Sequence, residues 1–162
     1  MNAPVFYLLA LCATAATAMA VTRREMIHAV IYLVLSFFSL ALIFFMMGAP
    51  LIAALEVLIY AGAIMVLFLF IVMMLEMGAP RVTRGPFLKV WGPGALIASA
   101  IFFSTAWLFI AEPGTAAGMA GAFISPRTFG HALYTKYMLA VEAASLLLLF
   151  ALVGALYLGK RE

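Results

Sequence analysis

The sequence predicts an all-α membrane protein with five transmembrane helices, its N-terminus outside and its C-terminus cytoplasmic. Hydrophobic residues make up 69% of the 162 residues and charged residues only 9%, whereas an ordinary soluble domain is about one quarter charged. The apolar residues form long uninterrupted segments, and the basic residues are unevenly distributed between the connections. We therefore expect a single membrane domain over residues 1–162 with the lipid bilayer as its surroundings. The net charge of +3 gives no reason to expect nucleic acid as a partner.

Each predicted span can cross a hydrocarbon core of about 30 Å, which takes roughly 20 apolar residues as a helix. The spans cover residues 4–21, 28–47, 51–75, 91–111 and 137–158, and residues 112–136 form a long outer loop. Near the end of the first span, Ala18-Met19-Ala20 resembles a signal-peptidase site, but no basic residue precedes it. An uncleaved first span is therefore expected. The tetrapeptide Met-Gly-Ala-Pro, at 47–50 and 77–80, predicts helix ends because glycine stops a helix and proline starts the next.

Basic residues predict the orientation, because cytoplasmic connections of membrane proteins are enriched in lysine and arginine. With the N-terminus outside, seven basic residues lie on the inner side and two on the outer side. The inner residues are Arg23, Arg24, Arg81, Arg84, Lys89, Lys160 and Arg161, and the outer ones are Arg127 and Lys136.

Tyrosines are expected at the membrane interface, where their rings anchor helices. Five of the six lie near predicted span ends: Tyr7, Tyr32, Tyr134, Tyr137 and Tyr157. Tyr60 is the exception, because its distance from the start of the third span places it about 13 Å deep, close to the midplane.

Glu56, Tyr60 and Gly62 are unusual residues for an apolar span. Glu56 lies about 8 Å into the third span, where an ionised carboxylate costs several kcal/mol, so an unpaired one normally holds a proton. Tyr60 follows four residues later on the same helix face, where a hydroxyl and a carboxyl can share a proton path or a hydrogen bond. Gly62 weakens an α-helix by about 1 kcal/mol relative to alanine, which favours a local irregularity or a close helix contact. From the residues alone, a proton relay and a packing role both stay open.

Glu142 lies near the start of the fifth span, at a depth comparable to that of Glu56, and is a further candidate for the proton path. The two histidines lie at a span end and in a loop, and the single Cys12 excludes an internal disulfide or a Cys-ligated cluster. We therefore predict no metal site, no bound cofactor and no catalytic residue in this chain, which is not expected to perform redox chemistry by itself.

Three segments carry a family resemblance. Residues 55–75, LEVLIYAGAIMVLFLFIVMML, strongly resemble the third helix of the subunit J family of the bacterial proton-pumping NADH:quinone oxidoreductase, respiratory complex I. Residues 28–33, HAVIYL, resemble the start of the family's second helix, although Glu25-Met26-Ile27 replaces the usual Asn-Pro-Val. Residues 137–145, YMLAVEAAS, followed by four leucines, resemble its last helix. The resemblance covers most of the chain.

The resemblance implies a five-helix subunit of the bacterial inner membrane that contains no cofactor. NADH, FMN, iron–sulfur clusters and quinone belong to other subunits of the complex. The implied partners are the quinone-proximal subunit, a small three-helix subunit and the antiporter-like subunits of the membrane arm. The resemblance further implies that the third helix can contain a π-bulge and can rotate between bulged and regular forms, so that a proton path opens or closes. On this chain Glu56 is the proton-path carboxyl, Tyr60 and Gly62 flank the bulge, and Met65 and Val66 are apolar gate residues.

Two other classes of function stay open at this point. An autonomous small transporter could use Glu56 as a proton-coupled site, although the sequence shows no inverted repeat and no pair of broken helices. Alternatively, the chain is a structural scaffold in which Glu56 pairs with a neighbouring subunit. The specific match of the third helix favours the complex I subunit.

Overall fold

A computed structural model describes residues 3–23, 25–76, 87–111 and 124–160. All regular secondary structure in these ranges is helical, which confirms the predicted fold class. The elements are α1 (Ala3–Thr22), α2 (Met26–Met46), α3 (Pro50–Leu55), a π-helix (Glu56–Ile64), α4 (Met65–Glu76), α5 (Phe87–Ala111), α6 (Pro126–Thr135) and α7 (Met138–Gly159). Within the described ranges, five helical stretches are long and apolar enough to cross a membrane: Ala3–Thr22, Met26–Met46, Pro50–Leu75, Trp91–Leu108 and Met138–Gly159.

The chain divides into two compact units, residues 1–123 and residues 124–162. Both units contain helices of membrane-spanning length. That the two units form a single membrane domain stays a prediction. The orientation of the termini also stays a prediction. Of the basic residues that predict it, four lie outside the described residues: Arg24, Arg81, Arg84 and Arg161.

Small residues allow α1 and α2 to pack closely in the first unit. Ala13 and Ala16 of α1 are buried, so the two helix backbones can approach each other, as is common between membrane helices. The Thr17 and Ser36 hydroxyls lie 2.8 Å apart, and Ser36 Oγ also donates to the Ala13 carbonyl at 3.2 Å. Polar side chains thus join two otherwise apolar helices.

Tyr32 corrects one of the sequence predictions. We expected interfacial anchors at all five span-end tyrosines, but Tyr32 is only 2% exposed and belongs to a buried cluster with Ala16 of α1 and Ile97 of α5. The reason is a close approach at Gly94, where a Cβ atom would lie 3.5 Å from the Tyr32 hydroxyl. Tyr7, Tyr134, Tyr137 and Tyr157 are all exposed, as anchoring at an interface requires.

The first Met-Gly-Ala-Pro segment ends α2 and starts α3 as predicted. Gly48 has φ 81°, its N–H donates to Phe45, and the Ala49 N–H donates to Phe44. These two hydrogen bonds form the Schellman pattern, and the positive φ favours glycine. Pro50 then occupies the first turn of α3. The second copy, at 77–80, lies outside the described residues.

The segment 112–136, predicted as a long outer loop, contains the helix α6 in its second half. Ser125 caps this helix, because its Oγ accepts a hydrogen bond from the Arg127 N–H at 3.3 Å, and Pro126 follows at the first helical position. Residues 112–123 lie outside the described residues.

Candidate functional site

The third span is continuous from Pro50 to Glu76, but its middle third is a π-helix. Glu56 is the first residue of the π-helix and Ile64 the last. At its end the Met65 N–H donates to the Tyr60 carbonyl, five residues earlier, which is the π-type bond. Because π-helices are rare and occur mostly as single-turn bulges, nine consecutive residues in this form mark the segment as unusual.

Glu56 and Tyr60 lie on one side of this segment. A helix that bonds residue i to i+5 has a wider turn than an α-helix, so residues four apart stay close to one line along it. The Glu56 side chain is half-buried, and among the described residues no side-chain hydrogen bond reaches its carboxyl. Since the surrounding span is apolar, a proton or a group of a neighbouring protein is the natural partner for this carboxyl.

Tyr60 contacts the chain through its ring. The ring centroids of Tyr60 and Phe37 of α2 lie 5.5 Å apart, with an angle of 43° between the ring planes. Even so, Tyr60 is 47% exposed, so the aromatic contact covers one part of the ring and leaves the rest accessible. The structure therefore places Glu56 and Tyr60 together at an accessible face of the third span.

Gly62 occupies a position where a larger residue would disturb the π-helix. A Cβ atom there would lie 3.1 Å from the Val57 carbonyl oxygen, which is closer than an ordinary van der Waals contact. Val57 precedes Gly62 by five residues, so this carbonyl is the acceptor position of a π-type bond. A side chain at residue 62 thus requires the Val57 carbonyl to shift by a few tenths of an ångström in the π-form.

The structure separates the two predicted gate residues. Met65 is 9% exposed and packs against Val30 of α2, together with Val72. Val66 is 62% exposed and points away from that contact. In the form described, Met65 therefore holds α4 against α2, while Val66 lies on a face available to lipid or to another protein.

Glu142 lies in α7, in the unit formed by residues 124–162. Its side chain is exposed, and its main-chain oxygen accepts a hydrogen bond from Ser145 Oγ at 2.7 Å. Its place in a proton path with Glu56 stays a prediction.

Sequence reasoning missed a polar cluster where α2 begins. His28 Nδ1 lies 2.7 Å from Glu25 Oε2, and the His28 ring meets the Trp91 ring edge-on at 5.3 Å. Arg23 Nη2 donates to the Tyr32 hydroxyl at 3.3 Å. The i,i+3 spacing of Glu25 and His28 is a signal that could have found the first contact, whereas the others depend on how α1 and α5 pack. Among the described residues no group of three His, Cys, Asp or Glu side chains could hold a metal ion.

Comparisons with known proteins place this chain in a family. The sequence model of NADH-ubiquinone/plastoquinone oxidoreductase chain 6 matches residues 16–158. NADH-quinone oxidoreductase subunit J of Pseudomonas aeruginosa is 39% identical, and the alignment covers 97% of this chain and 96% of that protein. Subunit J of Escherichia coli strain K12 is 38% identical, with coverage of 97% and 86%, and that of Rhodobacter capsulatus is 36% identical, with coverage of 97% and 81%. The resemblance of the three helices is thus confirmed over nearly the whole length, and the chain belongs to the NADH-ubiquinone/plastoquinone oxidoreductase chain 6 family.

Proposed function

We propose that this chain is a membrane-arm subunit of a proton-translocating NADH:quinone oxidoreductase in the bacterial inner membrane, and that its third span couples quinone reduction to proton movement. Family membership and the names of the relatives support the first part. The π-helix that carries Glu56 and Tyr60 supports the second. NADH, FMN, iron–sulfur clusters and quinone then belong to other subunits, and the quinone-proximal, small three-helix and antiporter-like subunits are the neighbours.

The coupling element is the change between π-helix and α-helix within the third span. When the hydrogen bonds change from the π-type to the α-type, the turn contains one residue fewer. The helix that follows then rotates by about 100°, which is the rotation per residue of an α-helix. With α3 fixed, Met65 would then move to the face that Val66 occupies now, and Ile64 would take the place of Met65 against α2. Two packed arrangements of this kind make a two-state switch.

Protons follow the accessible face of the same segment. Glu56 holds and releases a proton, and the Tyr60 hydroxyl passes it along the helix, because both groups lie on one side and neither has a hydrogen-bond partner among the described residues. Rotation of α4 changes which apolar side chains, Met65 or Val66, lie above them. Water thus reaches Glu56 in one state and is excluded in the other.

Gentle detergent extraction of native membranes that contain this chain with an affinity tag tests the membership. We expect recovery in an assembly many times heavier than the 17.5 kDa chain, with NADH:quinone reductase activity and membrane subunits that contain quinone-binding and antiporter-like sequences. Recovery as a small homo-oligomer without this activity would contradict the proposal and favour an autonomous proton-coupled transporter. An active complex whose proton pumping is insensitive to changes at Glu56 and Gly62 would favour a structural scaffold.

A further inference from the structure

The helix α6 lies directly before the last membrane-spanning helix. Thr135 ends α6 and Met138 starts α7, so only Lys136 and Tyr137 link them. The chain bends at this link, where the Lys136 and Tyr137 N–H groups both donate to the Ala132 carbonyl. Each residue spans at most about 3.6 Å, so the C-terminal end of α6 stays close to the point where α7 enters the bilayer.

α6 has one apolar and one polar face. Phe129 and Leu133, four residues apart, lie on one face of the helix. Arg127 and His131, also four residues apart, lie on the opposite face, with Thr135 beside them. Phe129 is 40% exposed, so its ring is available for a contact outside the chain. Amphipathic helices with aromatic and basic residues typically lie in the plane of the membrane interface.

Charge indicates which lipid this helix meets. Residues 124–141 contain two basic residues, Arg127 and Lys136, and no acidic residue. Both basic side chains are exposed, and Lys136 Nζ lies 5.8 Å from the centre of the Tyr137 ring, a residue type favoured at the headgroup level. These are also the two basic residues on the predicted outer side, against the general positive-inside bias. A function that requires positive charge at α6 explains their presence.

We propose that α6 lies in the membrane interface and binds a bilayer surface containing anionic lipid, with Arg127 and Lys136 contacting the phosphate headgroups and Phe129 inserted among the upper acyl chains. This interaction requires the membrane span α7 but does not depend on the proposed coupling function. Each cation near an anionic surface strengthens the association roughly fivefold, so the pair gives a preference for anionic over neutral lipid of more than about tenfold.

Spin labels on the full chain in lipid nanodiscs test the placement. In a Cys12→Ser background, labels at Phe129→Cys and Leu133→Cys should collide with oxygen more than with a water-soluble nickel chelate. Labels at His131→Cys and Thr135→Cys should show the reverse. Equal collision with the nickel chelate at all four positions would show that α6 is surrounded by water. A label at Phe129→Cys that collides with neither reagent would show that protein covers this position. Either result overturns the proposal.

Lipid preference is tested with a fluorophore at Thr128→Cys in the same background. Energy transfer to headgroup-labelled phosphatidylglycerol should exceed transfer to labelled phosphatidylcholine in mixed nanodiscs. Arg127→Gln and Lys136→Gln together should abolish this preference, whereas Lys160→Gln, at the opposite end of α7, should leave it unchanged. Equal transfer from both lipids in the parent chain, or a preference that survives the double substitution, would contradict anionic recognition.

Discussion

Tyr60 and Glu56 combine a polar group with an exposed position in an apolar span. Tyr60 packs its ring on Phe37 and offers a hydroxyl to a proton path, so its two parts can be tested separately. Glu56 has no bonded partner among the described residues and stands at the start of the π-helix. The Glu56 carboxyl and the Tyr60 hydroxyl are therefore proposed to transfer protons, and the Tyr60 ring to pack against α2.

Tyr60→Phe keeps the ring contact and removes the hydroxyl, whereas Tyr60→Leu removes both. We expect proton pumping per electron pair to fall in both variants, because the hydroxyl carries the proton, and assembly to suffer only in the leucine variant. Pumping is measured in proteoliposomes and assembly by native electrophoresis. Full pumping by the phenylalanine variant would limit Tyr60 to a packing role.

Glu56→Gln keeps the shape of the side chain but cannot release a proton. Loss of a positioned proton-transfer group slows the step it serves by roughly 100-fold, so coupled turnover should nearly cease while the complex still assembles. NADH:quinone reduction with and without a proton gradient checks this. Glu25→Gln is the matched control, because it makes the same chemical change outside the third span, before α2, where Glu25 contacts His28. Wild-type pumping by Glu56→Gln would contradict the proton-path role.

Helix pairs in the first unit are joined by small residues and hydroxyls. Ser36 is 3% exposed and contacts both the Thr17 hydroxyl and the Ala13 carbonyl of α1. In Ser36→Ala the Thr17 hydroxyl keeps its own hydrogen bond to Ala13, so the variant removes an interhelical bond without leaving a buried donor unpaired. The pair α1–α2 is thus suited to measuring the free energy of one such bond.

Ser36→Ala should lower the free energy of unfolding by about 0.6 kcal/mol and by no more than about 1.7 kcal/mol, the range found for hydrogen bonds between membrane helices. Reversible unfolding of the full chain by dodecyl sulfate in mixed micelles measures this change. Ser145→Ala is the control, because its exposed hydroxyl bonds only within α7. Equal effects of the two substitutions would show that the contacts of Ser36 with Thr17 and Ala13 contribute nothing.

Hydropathy predicts the helices well and their irregularities poorly. The five predicted spans agree with the observed helices to within a few residues. The length of each apolar segment is enough to predict its helix. The π-helix has no such signal, since its residues are apolar on all sides except at Glu56 and Tyr60, and Gly62 was the one local indication. The burial of Tyr32 depends on Gly94 in α5, a helix that is far away in the sequence. The start of α6 was readable from Ser125 and Pro126, but the glycine-rich stretch before it favoured a loop.

For the whole molecule, five spans predict termini on opposite sides of the membrane, and the basic residues predict the cytoplasmic side for the C-terminus. Lys136 and Lys160 flank α7 at its two ends, so they report the direction in which this helix crosses. This direction also decides on which side Glu142 and α6 lie.

In a Cys12→Ser background, Lys136→Cys should react with a membrane-impermeant maleimide on intact spheroplasts, because residue 136 is on the predicted outer side. Lys160→Cys should react only after the cells are lysed. The extent of labelling is read on gels. The reverse pattern would contradict the predicted orientation, and labelling of both sites on intact cells would show that α7 does not cross the membrane.

Gly62→Ala tests whether the π-helix of the third span switches to couple quinone reduction to proton movement. Alanine adds a Cβ atom 3.1 Å from the Val57 carbonyl oxygen, so this carbonyl must shift for the π-form to persist. Gly154→Ala in α7 is the control, because its added Cβ meets nothing within 4 Å. The measurement is the number of protons translocated per NADH oxidised by the purified complex in proteoliposomes, normalised to assembled complex. We predict a clear decrease for Gly62→Ala and none for Gly154→Ala. Equal ratios in the two variants, or a decrease explained entirely by lost assembly, would contradict the switch.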